Sequence, residues 1–472
     1  MKQTKVAIIG GGVTGVSMLS HLVHDERFTS GITVDIYDNA YTMGRGQAYQ
    51  EDNEHLLINV PADEMSLGES HPDYKSWLKP ENGQELYTSR QQFGDYVKDQ
   101  LETIASTHEE VHLRYAKVDG IEYDSSSGKF TLSIDEEEVL YDRVFLTIGQ
   151  LRYGDPYNLK GSQGFLYDPY PLSRKLADIE DDNIGILGAG LSAIDCVRYL
   201  ILDKQVKKVS LFSRSGDMPS VRGERAEIIL RHFTEESLRD RIQNDEIALT
   251  DIIALFKEEL AHQNIDESLF FRRTGNTLQD LNYDLEHQET VGRLQYLIIK
   301  VNPIFSDVYQ YLSRNDKKAF LEKYHHLIEE NHSPMPAEVA RLLVQWGDEG
   351  RLHIIDGTEH IKKEDGFTIL TKEGGEYRVD TLINATGPVK DVRRGDSEII
   401  QSLMNHMIIA PSEFGGIMVD ASRHVISPKV GTVRGMYALG ALTIGSDYLS
   451  NSVQLLQKNA QKLINRFYED IY

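Results

Sequence analysis

Two stretches of this 472-residue chain repeat one design at an offset of 178 residues, beginning at Gly10 and at Gly188. In the first, the apolar run Val6–Ile9 enters Gly10-x-Gly12-x-x-Gly15 and a helical pattern through Val16, Leu19 and Leu22 follows. In the second, Ile184–Leu187 enters Gly188-x-Gly190-x-x-Ala193 and again a helical pattern follows. A further strand comes after each, Ile32–Asp38 and Lys208–Arg214. Each stretch therefore predicts a βαβ unit of the dinucleotide-binding kind. Small residues in such a turn let the backbone approach a pyrophosphate, and the amides and dipole at the helix start favour its charge. Two such units predict an α/β chain with two Rossmann-like domains.

The strand ends distinguish the two units. Asp38 lies 23 residues after Gly15, at the tip of its strand, where a carboxylate accepts hydrogen bonds from an adenosine ribose. Gly10, Gly12, Val13, Thr14, Gly15, Asp38 and Asn39 form the first candidate set, a tight turn without ligand being the competing reading. The second set is Gly188, Gly190, Leu191, Ser192 and Ala193, with Ser213 and Arg214 at the strand end and no acid there. An arginine flanked by hydroxyls suits a 2′-phosphate, which an acid would repel, so NADPH is preferred over NADH. The competing reading makes Arg214 a solvated surface cation. Ile148–Gly149 and Thr386–Gly387 each close an apolar strand with a glycine, one for each expected crossing between domains next to a cofactor. The order of the units predicts FAD held by the first and nicotinamide delivered by the second.

Composition removes other classes. Lys plus Arg total 50 against 74 Asp plus Glu, a formal charge of −24 that repels nucleic-acid phosphates and an anionic membrane surface. The one cysteine, Cys196, excludes an intrachain disulfide, a dithiol relay and thiolate zinc clusters, and among apolar neighbours it reads as a buried packing residue. No apolar run reaches the roughly 18 residues of a spanning helix. The short run Val6–Ile9 leads into glycines rather than a cleavage site, so a cytoplasmic protein is expected. Among 16 histidines the densest group is His325, His326 and His332; their spacing suits packing or solvation better than chelation, and no metal site is expected.

Along the chain, a helix is predicted over 92–104, short strands over 111–118, 120–123 and 129–134, and helices with loops over 224–346. A last helix is predicted from about 451 to 468. The domain prediction is an FAD domain from 1–175 and 388–472, an NAD(P)H domain from 176–222 and 350–387, and a helical insertion, 223–349, capping the active site. Val118, at a strand end, joins the FAD candidates.

Other segments carry a family likeness. Gly44-Arg45-Gly46-Gln47-Ala48-Tyr49 precedes His55–Ala62, Met65-Ser66 and the helix start Arg90-x-x-Phe93-x-x-Tyr96. With the two glycine turns, these resemble the bacterial FAD/NAD(P)-binding proteins of the two-dinucleotide-binding-domain flavoprotein group, related to the flavin-dependent N-hydroxylating monooxygenases. The resemblance implies that Arg45, Gly46, Gln47, Asn59, Val60, Pro61, Met65, Ser66 and Arg90 line the flavin site. Many relatives carry Gly-Asp near the C-terminus; here Gly440 is followed by Ala441, and Ser450, Asn451 and Ser452 are the substitutes expected at the last helix start. The implied activity is NADPH-dependent hydroxylation of a small amine or amino acid with O2, through a C4a-hydroperoxyflavin. The alternatives are an NADPH oxidase or electron-transfer flavoprotein, and a non-catalytic redox sensor. Because the cofactor carries the chemistry, no residue is singled out as catalytic. A small-molecule substrate and O2 are the expected partners, and a homo-oligomer is compatible with them.

Overall fold

The computed structural model describes residues 3–68, 70–78, 86–180, 183–395, 397–449 and 452–471. Its strands are β1 (Thr4–Ile9), β2 (Ile32–Tyr37), β3 (Val111–Arg114), β4 (Val118–Asp124), β5 (Lys129–Ile134), β6 (Glu137–Tyr141), β7 (Arg143–Leu146), β8 (Phe165–Leu166), β9 (Ile184–Leu187), β10 (Val209–Phe212), β11 (Leu352–Ile355), β12 (Thr358–Glu364), β13 (Gly366–Thr371), β14 (Glu376–Val379), β15 (Thr381–Asn384), β16 (His424–Ser427) and β17 (Gly431–Ala438). The chain divides into two compact units, residues 1–152 with 388–472, and residues 153–387.

The first unit is built on a sheet of order β16-β17-β7-β1-β2-β3, parallel except for the β16–β17 pair. Its central strands are apolar on both faces because both are covered: Val6, Ala7, Ile8, Val144 and Leu146 are fully buried. On one face lie the helices Val13–Val23, Arg90–Thr107 and Val453–Ile471. The second of these starts in a capping box, Ser89 with Gln92, and buries Phe93, Val97, Leu101 and Ile104 along one stripe. The last helix locks onto the first through Gln457 and Ser17, and through the Tyr468 hydroxyl, which donates to the Leu22 carbonyl at 2.7 Å. The other face carries the antiparallel sheet β4-β5-β6 and the helix Glu398–Asn405.

The second unit repeats the plan. Its parallel sheet has the order β11-β10-β9-β15-β8, so β15-β9-β10-β11 matches β7-β1-β2-β3 strand for strand. A three-stranded antiparallel sheet, β12-β13-β14, again precedes the fourth parallel strand. Between β10 and β11 lie the helices of residues 235–348. A buried polar knot holds them: Arg272 donates to Asp284 at 2.7 Å, Asp284 accepts the Val221 amide at 3.0 Å, and Gln295 bonds Ser220 at 2.8 Å.

Several expectations need correction. Residues 153–175 fall in the second unit rather than with the first, because β8 pairs with β15. The predicted strand over 111–118 is two: Val111–Arg114 completes the parallel sheet and a separate strand starts at Val118. Strands β6, β12 and β17 were not predicted; the first two are largely exposed and charged, and Gly431 and Gly435 interrupt the apolar signal of the third. The last helix starts at Val453 and runs to Ile471. Cys196 is buried.

Candidate functional site

The first glycine turn is fixed from three sides. Gly10 has φ +108° and passes under the end of β7, where a Cβ would stand 2.3 Å from the Thr147 carbonyl oxygen. Thr147 Oγ1 holds this approach by donating to the Gly10 carbonyl at 2.7 Å. A Cβ on Gly15 would stand 2.0 Å from the Gly10 oxygen, so the helix can start this tightly only with glycine there. Gly12 is the N-cap of Val13–Val23 and provides no side-chain cap. The amides of Val13, Thr14 and Gly15 thus stand at a positive helix end suited to an anion.

Asp38 follows β2 beside this turn, and its carboxylate is tied into the loop. It accepts the Gly11 amide at 2.8 Å, the Asn39 amide at 2.7 Å and the Thr42 hydroxyl at 2.6 Å. The expected ribose acceptor is therefore also the anchor of residues 39–46. That anchoring brings Gly46 against Gly12 and lays Gly44 over Lys98, where its Cβ would stand 2.7 Å from Cα. Arg45 faces carboxylates, pairing with Glu51 at 2.7 Å and with Asp95, while its Nε is buried without a partner among the described residues. Gln47 is exposed. Tyr49 stacks edge-on to Phe93 at 4.9 Å between ring centroids. Burial raises its phenol pKa, against the pull of the Arg90 charge.

The segment from Leu57 to Ala62, with Asn59, Val60 and Pro61, runs beside residues 86–89: Ile58 donates to Thr88 at 2.9 Å and Ala62 to Leu86 at 2.9 Å. Arg90 is pinned to it by its amide, 2.7 Å from the Leu56 carbonyl. Met65 is buried in the apolar cluster that contains Val13 and Met43, and Ser66 Oγ accepts the Gly68 amide at 3.1 Å. The C-terminal segment reaches the same turn, since a Cβ on Gly440 would stand 3.0 Å from Thr14 Oγ1. The acid missing after Gly440 is not replaced by a free one: Asp447 is buried, paired with Arg423, and accepts the Thr443 hydroxyl at 2.6 Å. Ser452 immediately precedes the last helix, its carbonyl accepting the Leu456 amide at 2.8 Å. Ser450 and Asn451 lie outside the described residues. Ile148 and Gly149 follow β7, Gly149 at φ +82° facing open space; Val118 is buried in the cluster with Ile121 and Phe130, against which Ile148 packs.

The second turn copies the first. Gly188 has φ +116° and its Cβ would stand 2.5 Å from the Ala385 oxygen, as Gly10 meets Thr147. Gly190 is the N-cap, with φ and ψ of −78° and −174° against −78° and −168° at Gly12. Nothing lies within 4 Å of a Cβ placed on Gly190, so a cradle stands open before Leu191, Ser192 and Ala193. Ser213 Oγ accepts the Gly216 amide at 2.7 Å, which turns the chain after β10. Arg214 is exposed, and no ion pair among the described residues engages it. Thr386 and Gly387 follow β15, Gly387 at φ +84° with nothing near it. The outward approach of this crossover depends on Asn384, which is fully buried: it donates to the Gly154 and Tyr167 carbonyls at 2.8 and 2.9 Å and accepts the Thr386 hydroxyl at 2.8 Å.

Sequence reasoning missed Thr147 and Asn384 as the groups that position the two crossovers. The signal lies in the strand ends, Thr147 two residues before Gly149 and Asn384 three before Gly387. Of the histidines, His325 pairs with Glu329 at 3.3 Å, and burial, with the Arg222 charge, pulls His332 down to about 4. Among the described residues no cluster of His, Cys, Asp and Glu could hold a metal, and no helix is long and apolar enough to cross a membrane.

Residues 7–151 match the family model described as FAD-NAD(P)-binding. No curated protein matches the chain in sequence. Solved structures match over its whole length. The ornithine N-hydroxylase of Kutzneria sp. 744, in a complex with reduced FAD, NADP+ and L-ornithine, is 15% identical with a TM-score of 0.60, covering 99% of each chain. The ornithine hydroxylase of Pseudomonas aeruginosa is 14% identical with a TM-score of 0.61, and the L-lysine 6-monooxygenase of Pseudomonas syringae 13% with 0.61, each covering 100% of both chains.

Proposed function

We propose, for a chain with an FAD/NAD(P)-binding segment at residues 7–151 and the fold of the two-dinucleotide-domain flavoproteins, that it is an FAD-dependent NADPH oxidoreductase that N-hydroxylates a small amine or amino acid. The observation that carries the reading is the pair of matched turns, Gly10 under Thr147 and Gly188 under Ala385, each with an uncapped helix start. One chain with two anion cradles suits one resident and one exchanging dinucleotide. The full-length likeness to amine and amino-acid hydroxylases supports the choice of substrate class.

In this reading FAD supplies hydride acceptance from NADPH and activation of O2. The chain's own part is binding and orientation. The amides of Val13, Thr14 and Gly15 hold the FAD pyrophosphate, and Thr147 and Asp38 fix the turn that presents them. The first turns of the helix Val453–Ile471 come near the same turn, since a Cβ on Gly440 would stand 3.0 Å from Thr14 Oγ1 and 3.6 Å from Leu456 Cδ2, so its positive dipole end would favour an anion there. The amides after Gly190 hold the NADPH pyrophosphate, and Arg214 takes its 2′-phosphate. The balance is amine, O2, NADPH and a proton going to hydroxylamine, water and NADP+. The test is a set of amines, diamines and amino acids incubated with enzyme and NADPH, with hydroxylamine and peroxide counted against NADPH consumed. Hydroxylamine rising with one substrate as peroxide falls supports the reading. One peroxide per NADPH with every substrate favours the oxidase instead.

A further inference from the structure

The helices between β10 and β11 line a cavity of about 110 Å³, open to solvent on one side, to which neither glycine turn contributes. It lies among the helices Leu249–His262, Gln288–Tyr309, Arg314–Lys323 and His325–His332 and the turn Glu267–Phe271. Its wall is aromatic. Phe233, Phe256 and Phe270 follow one another at 6.2 and 6.0 Å between ring centroids, and Phe305 meets Phe320 at 4.9 Å. The size is on the order of the ~150 Å³ cavities that admit a benzene ring.

Asn302 is the amide in this lining. Asn302 is 4% exposed, and its amide nitrogen is buried without a hydrogen-bond partner among the described residues. A buried amide with no acceptor is costly, and a wall that served packing alone would carry Leu or Met there. The charged residues of the lining stay at the surface: Lys257 and Glu267 pair at 2.9 Å and are 55% and 52% exposed. Phe271, also in the lining, is 67% exposed.

We propose that this cavity is a binding site for a neutral, ring-sized apolar group that presents one carbonyl-type acceptor to Asn302. A charged amine or amino-acid head group does not suit it, because the interior offers no counter-charge to repay desolvation. The site is therefore separate from the one proposed for the hydroxylated amine, and it stands whether or not that reaction does.

The test uses two probes of nearly equal shape, acetophenone and α-methylstyrene, titrated calorimetrically into the flavin-loaded full-length protein. The wild type binds acetophenone saturably at or below about 1 mM, about 5- to 10-fold tighter than the hydrocarbon. Asn302→Leu reverses that preference while flavin content and NADPH oxidation stay unchanged. Phe256→Trp fills the chamber and abolishes binding of both probes. A wild type that binds neither probe, or both equally, overturns the proposal even if a variant fails to fold. So does an Asn302→Leu protein that keeps the wild-type preference.

Discussion

Gly12 and Gly46 lie back to back: a Cβ on Gly12 would stand 3.1 Å from Gly46 Cα, and one on Gly46 3.2 Å from Gly12 Cα. If the turn holds a pyrophosphate as proposed, Gly12 is needed twice, once toward that ligand and once toward its own chain. Gly46 is also at φ +66°, which costs a residue with a side chain about 1 kcal/mol. We expect Gly46→Ala to lower flavin content after purification although the residue touches no phosphate. The absorbance ratio of flavin to protein checks it, with the far-ultraviolet circular dichroism unchanged.

The second turn allows a cleaner experiment. A methyl on Gly190 meets nothing within 4 Å, whereas one on Gly188 meets the Ala385 oxygen at 2.5 Å at φ +116°. Gly190→Ala should therefore cost less than about 1 kcal/mol of stability and raise KM for NADPH about 10-fold or more. Gly188→Ala should destabilise the second unit itself. Thermal melts and steady-state kinetics on the two variants separate the effects; an unchanged KM in Gly190→Ala removes the nucleotide from this turn.

Arg214 is exposed beyond β10, near Tyr157, whose phenol pKa its charge lowers against the larger effect of burial. Arg214→Ala should weaken NADPH by about 1.5–3 kcal/mol, roughly 10- to 100-fold, and leave NADH nearly unchanged. Ratios of kcat/KM for the two nucleotides report it. Equal losses with both would place the 2′-phosphate elsewhere.

Asp35, 2% exposed, receives the Tyr141 hydroxyl at 2.7 Å and Arg114 Nε at 2.7 Å. Burial pushes its carboxyl up, but these two bonds together with the charges of Arg114 and Lys5 outweigh it and hold the pKa below the usual value. A depressed carboxylate stabilises the fold above its unfolded pKa near 4 and loses that contribution as pH falls through the folded value. Tyr141→Phe should cost about 1.5–3 kcal/mol at pH 7, and the gap from wild type should narrow below about pH 4. Urea melts across pH test this; a gap that widens in acid contradicts the assignment.

The turns were legible in the sequence because glycine there answers to backbone geometry, which spacing alone records. At Gly10, Gly15 and Gly188 the spacing anticipated contacts that a Cβ would violate. The acid at the strand end was legible as a position but not as a partner. Nothing in the order of residues says that Asp38 spends its oxygens on Gly11, Asn39 and Thr42, or that Arg45 turns to Glu51 and Asp95. Those pairings are set by loop closure. The boundary after residue 152 escapes the sequence for a related reason: β8 is two residues long and takes its place by pairing with β15 217 residues later, Phe165 with Leu382 and Leu166 with Ile383. Strand β12, with Lys362, Lys363 and Glu364 exposed, has no apolar alternation to announce it.

The central claim is that one chain carries both a resident flavin and an exchanging NADPH. Its most direct test is an anaerobic titration of the purified protein with NADPH, following the visible flavin band. The account predicts complete bleaching at one NADPH per flavin, and loss of rapid bleaching in Gly190→Ala at limiting NADPH. A yellow protein whose flavin stays oxidised under excess NADPH would contradict it.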